Sequence, residues 1–205
     1  MANIQNVNYE ALPGQAGQMR SHGQELNNEL TTAYQRITDM HNVWYGIRYN
    51  SLVTEFNNII PQLNELLDLV VGEIPFALET IANNYSQADR GSNITSAQKT
   101  APNRITDIPV HDDSGTMRFI TGDVESIQSQ VVSNLDNAKS KMDTIESVYG
   151  QIQWESEAAD AFRNTFTRLK SQIVTSFENI KTQFTKLMTQ AQEDVQAAET
   201  GNTVG

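Results

Sequence analysis

Trp154-Glu155-Ser156-Glu157-Ala158-Ala159-Asp160-Ala161-Phe162 is the stretch that decides the fold of this chain. Ahead of it Ile120, Val124, Ile127, Val131, Leu135, Ala138, Met142, Ile145, Tyr149 and Ile152 recur every three or four residues. Behind it Phe162, Phe166, Leu169, Ile173, Phe177, Ile180, Phe184, Leu187, Ala191 and Val195 do the same. That period puts each set on one stripe of a helix, so the stretch where they meet reads as a hinge.

The only other tryptophan, Trp44 in Val43-Trp44-Tyr45-Gly46, stands at the same kind of junction. Leu26, Leu30, Ala33, Ile37 and Met40 lead into it, and Leu52, Phe56, Ile59, Leu63, Leu66, Val70, Ile74, Leu78, Ile81 and Tyr85 lead away. The sequence is one motif written twice: helix, tryptophan hinge, helix. Pro61 and Pro75 interrupt the second run, each removing a backbone donor and clashing with the preceding turn, so a kink or short break is expected near both. Pro13, Gly14, Gly17 and Gly23 predict a frayed start to the first helix, and Thr200-Gly201-Asn202-Thr203-Val204-Gly205 a frayed tail.

Between Arg90 and Met117 the helical period is lost among Gly91, Ser92, Pro102, Pro109 and Gly115. The expected division is therefore a first hairpin at 1–90, a linker at 91–117 and a second hairpin at 118–205. The linker region reads first as irregular chain, although Ile105–Val110 and Thr116–Thr121 flank His-Asp-Asp-Ser-Gly and are also compatible with a small β-hairpin or an extended crossing. One helical hairpin leaves its apolar stripe exposed; two packed face to face bury both, and the linker makes that partner intramolecular. The expected fold is all-α, an elongated antiparallel four-helix bundle behaving as a fused pseudo-dimer. A helix of about 38 residues spans roughly 57 Å, while the linker could reach about 90 Å fully extended. That generous reach favours hinges at opposite ends.

Composition narrows the function. The net charge of −11 disfavours nucleic acid and anionic membrane surfaces, which need clustered Lys and Arg. With no cysteine and 38% hydrophobic residues, disulfides and thiolate chemistry are excluded, and a thin bundle with large polar surfaces is favoured over a broad enzyme core. The N-terminus lacks a basic and apolar leader, and no long apolar run is present that would span a bilayer. His22, His41 and His111 are scattered, and His111-Asp112-Asp113 reads as a solvated turn rather than a metal site. Glu193-Asp194 sits on a polar helix face, and no phosphate-cradling loop or nucleophile motif occurs. No enzyme, metal or cofactor is expected.

The hinges carry a resemblance. Trp154, Ala158, Ala159, Ala161 and Phe162 resemble the Trp-x-Gly-x-Ala-Ala-x-Ala-Phe hinge of the WXG family, the small helical-hairpin substrates of type VII secretion that include the early secreted antigens of mycobacteria. Ser156 replaces the family's glycine and can serve instead as an N-cap. Trp44 and Gly46 match the core motif in the first half without its Ala-Ala element. Tyr85-Ser86-Gln87-Ala88-Asp89 is similar to the family's Tyr-x-x-x-Asp export signal, found after the second helix of one partner in a dimer. The resemblance implies a non-enzymatic, virulence-associated protein made in a bacterial cytoplasm and secreted without a cleaved signal peptide. It also implies recognition by the type VII secretion ATPase through Tyr85 and Asp89. The alternatives are an intracellular targeting partner for a larger toxin and, less favoured by charge, a membrane-active effector. In an antiparallel pseudo-dimer, Trp154 would share an end with Tyr85 and Asp89, and the fused chain would be monomeric.

Overall fold

A computed structural model describes residues 7–202. The chain is mostly helical: α1 is Leu12–Met40, α2 Ile47–Asn57, α3 Ile60–Leu67, α4 Ile74–Arg90, α5 Thr121–Gly150 and α6 Glu157–Asn202. Trp44–Tyr45 (β1) and Arg118–Phe119 (β2) form a short antiparallel ribbon, with Trp44 opposite Phe119. No helix among the described residues is long and apolar enough to cross a membrane.

Both predicted interruptions of the second run occur where proline removes a donor. The break at Asn58–Ile59 separates α2 from α3, in whose first turn Pro61 sits. Tyr34 of α1 donates its phenol to the Phe56 carbonyl at this break, 2.6 Å away, so one carbonyl freed by the discontinuity is satisfied. Ahead of Pro75 the helix widens into a π-turn, Asp68–Glu73, which turns Leu69, Val70, Val71 and Gly72 inward in succession. The first helix is continuous from Leu12, where fraying was expected, because Leu12, Ala16 and Met19 are fully buried and tertiary packing outweighs the low propensity of its glycines. At the other end α6 runs on to Asn202; the rest of the expected frayed tail, 203–205, lies outside the described residues.

Cross-helix bonds give the packing directions. Gln15 bonds Gln151, Glu25 pairs with Lys141 and Glu29 accepts from Asn134, so α1 and α5 run antiparallel. Glu65 pairs with Arg168 and Asp194 with Arg48, so the α2–α4 stretch and α6 do likewise. Asp136 pairs with Lys181 and Glu146 with Lys170 across α5 and α6. One contiguous apolar core, reaching from Leu12 to Ala191, joins residues of both hairpins with Ile105 and Ile108 of the linker.

The linker is neither a β-hairpin nor a loose tether. Ile105–Val110 stays extended, and the strand that follows pairs with the Trp44 hinge instead. Asparagines hold the linker backbone as a strand partner would. Asn57 donates to the Ile108 carbonyl and accepts its amide, both at 2.9 Å; Asn64 does the same for Ile105 and Asn50 for His111. Asn27 from α1 grips Asn103 in the same two-bond fashion, and Asn83 grips Thr95. The pitch explains the register. Seven helical residues rise about 10.5 Å, and three residues of extended chain cover about 9.5 Å, so asparagines one heptad apart meet every third linker residue.

Candidate functional site

The two hinges are built alike around a buried tyrosine that the tryptophans do not announce. At the first, the Tyr49 phenol donates to the Ile37 carbonyl at 2.9 Å; at the second, the Tyr149 phenol donates to the Ala159 carbonyl at 2.8 Å. Each bond ties the helix on one side of a hinge to the helix on the other. Burial pushes the Tyr149 phenol up to about 12 and drives Tyr49 upward as well, so both stay donors at physiological pH.

At the second hinge, Trp154 is 6% exposed and its ring meets Phe162 at 6.1 Å. Ser156 Oγ accepts the Ala159 amide at 3.0 Å, capping α6, and Ala159 is buried while Ala158 faces solvent. At the first hinge the Trp44 ring lies 5.4 Å from Phe119 and 6.2 Å from Phe184, so its indole joins β2 and α6 to the hinge. Gly46 opens α2 at φ 117° and ψ −173°, a region that only glycine occupies without strain.

Beside the first hinge lies an open groove of about 660 Å³. Trp44, Ile47, Met117 and Phe119 give it apolar walls, with Arg48 and Asp194 at its rim. Ile47 is 79% exposed there. Next to the groove, His41 Nε2 lies 3.2 Å from Asp113 Oδ1, and its ring stacks on His111 at 3.7 Å. Asp113 also accepts the Gly46 amide. The cluster fastens the end of the linker to the hinge; among the described residues no group of three or more His, Asp or Glu is placed to hold a metal ion.

Tyr85 and Asp89 lie one turn apart near the end of α4, on its outer face, with Ser86 turned inward and fully buried. The hinge loop after α5 lies at the same end: Gln151 and Gln153 line a small cavity with Asn8, Ala11 and Gln15, and Tyr9, beside Asn8, bonds Asp89. With its indole buried, Trp154 offers this end support rather than a contact surface. Sequence reasoning missed Tyr9, Tyr49 and the Asn50, Asn57, Asn64 series; for the last, the seven-residue spacing of identical amides was the available signal.

No family model, curated protein or solved structure matches the chain.

Proposed function

We propose that this chain is a non-enzymatic type VII secretion protein of the WXG kind, an elongated antiparallel four-helix bundle in which a signalled and an unsignalled hairpin are fused as a pseudo-dimer. The observation that carries the reading is the pairing of two tryptophan hinges with one Tyr-x-x-x-Asp segment. That segment presents Tyr85, 41% exposed, and an exposed Asp89 on the same face of α4. The protein acts by binding. The secretion ATPase reads Tyr85 and Asp89 together with the adjacent hinge loop, and the chain leaves the cytoplasm without a cleaved leader. Tyr85→Ala and Asp89→Ala variants test this by the amount of protein reaching the medium in a strain carrying the machinery. Loss of export is expected, and unchanged export ends the signal assignment.

The groove at the first hinge favours a second reading, an intracellular targeting partner for a larger toxin. Its apolar walls and the outward Ile47 and Met117 suit the apolar face of a partner helix. Purification from the producing strain separates the two, since a targeting partner brings its toxin with it and a free substrate does not.

A further inference from the structure

We propose that Tyr9 is a built-in partial cover for the Tyr85–Asp89 segment, lying in the free chain against one face of the Tyr85 ring and one carboxylate oxygen of Asp89, so that full recognition by a secretion partner proceeds by its displacement. The proposal rests on the reading of Tyr85 and Asp89 as an export signal.

Tyr9 belongs to the short segment ahead of α1, not to the helix that carries the signal, so it can leave without unfolding α4. Its phenol donates to the Asp89 carboxylate, and its ring stacks nearly parallel to Tyr85, with centroids 6.4 Å apart and planes inclined by 10°. The Arg90 guanidinium stands 5.7 Å over the Tyr9 ring. Arg90 also pairs with the neighbouring Glu10 and reaches Asp89 at 3.6 Å. Tyr9 therefore contacts both residues of the signal and also Arg90, the residue that follows it. The hydrogen bond to Asp89 holds the Tyr9 phenol protonated above its ordinary range, so the donor persists across physiological pH.

The pose also states what a competitor must supply. Asp89 calls for a donor and Tyr85 for a flat ring, and the Arg90 guanidinium, which stands over the Tyr9 ring, adds a cation–π preference for an aromatic guest. A neutral aromatic side chain bearing an O–H or N–H satisfies all three, which makes Tyr9 a stand-in for a tyrosine or tryptophan of the partner. A surface contact of this kind is weak, so the cover delays recognition without abolishing it. Removing a covering contact of ordinary hydrogen-bond strength raises the competent fraction, and hence the initial export rate, by about threefold to tenfold.

The test uses the full chain carrying Tyr9→Ala or Tyr9→Phe, with Tyr85→Ala and Asp89→Ala alongside. In purified protein, the Tyr85 ring-proton resonances should move in Tyr9→Ala while those of Tyr149, at its own hinge bond, stay in place; a stationary Tyr85 overturns the cover. In the export assay Tyr9→Ala should leave faster than wild type, with Tyr9→Phe, which keeps the stack and loses the donor, in between. If Tyr85→Ala and Asp89→Ala block export but Tyr9→Ala is no faster, the cover is wrong and the signal reading stands. If Tyr85→Ala and Asp89→Ala export normally, the signal reading fails and takes the cover with it, whatever Tyr9→Ala does.

Discussion

At the scale of single residues, the two hinges solve one problem with different chemistry. Gly46 begins α2 from a backbone conformation closed to side chains, and it is that conformation, not lack of room, that forbids one: a Cβ there would meet the Thr116 carbonyl at 3.5 Å, an ordinary contact. Gly46→Ala should therefore cost on the order of 1–3 kcal/mol, read as a lower urea midpoint. Ser156 solves the second hinge by capping, so the expected ranking differs. Ser156→Ala should lose about 1 kcal/mol, whereas Ser156→Gly should lose only a few tenths. Equal losses for the two Ser156 variants would show that the cap contributes nothing. The serine's capping role was legible from its place before Glu157-Ala158-Ala159. The hinge tyrosines were not: their spacing marks them as apolar positions and does not say which carbonyl the phenol will find.

At the scale of elements, the linker is held as a strand by a helix. Each of Asn50, Asn57 and Asn64 presents a donor and an acceptor side by side, as a peptide group does at a sheet edge, and Ile105 and Ile108 bury their side chains between these bonds. Asn57→Ala should cost about 1–3 kcal/mol, because the Ile108 amide and carbonyl are left without partners in a part-buried site. Asn57→Asp adds a charge-dependent penalty, since a carboxylate oxygen then faces the Ile108 carbonyl where an amide donated. Only the protonated acid can donate there, so its folded-state pKa lies above the unfolded value. The penalty is absent below the unfolded carboxylate pKa, grows as pH rises and is complete above the folded pKa. Urea midpoints at pH 4 and pH 7, each against wild type, should show the variant closer to wild type at the lower pH.

At the scale of the whole molecule, the first hinge lies beside the start of α5 and the late part of α6, and the second beside the start of α1. The linker therefore travels from the end of α4 back along α3 and α2 to the Trp44 hinge. Its bonds to Asn83, Asn64, Asn57 and Asn50 mark the route. One core draws on both hairpins and the linker, so among the described residues neither apolar stripe is left uncovered for a second copy. Sedimentation at micromolar concentration should give a monomer, and a stable dimer would mean that hairpins are exchanged between chains.

The sequence by itself determined the helices, both tryptophan hinges and the stripes that form the core, because a three-and-four residue period is a local signal that survives in any bundle. It also located the breaks at Pro61 and Pro75, since a missing donor acts on its own turn. Only the tertiary structure decided where the linker goes, which strand the Arg118–Phe119 segment meets and what lies against Tyr85 and Asp89. Those outcomes depend on polar side chains meeting backbone far away in sequence: Asn57 finds Ile108, Tyr9 finds Asp89 and Trp44 faces Phe119. The apolar period carries no record of such pairs, and only the seven-residue asparagine spacing hinted at one of them. The Trp154 hinge is a capped corner around a buried indole, and the exposed chemistry of its end of the molecule lies with Tyr85, Asp89 and the Tyr9 packed against them.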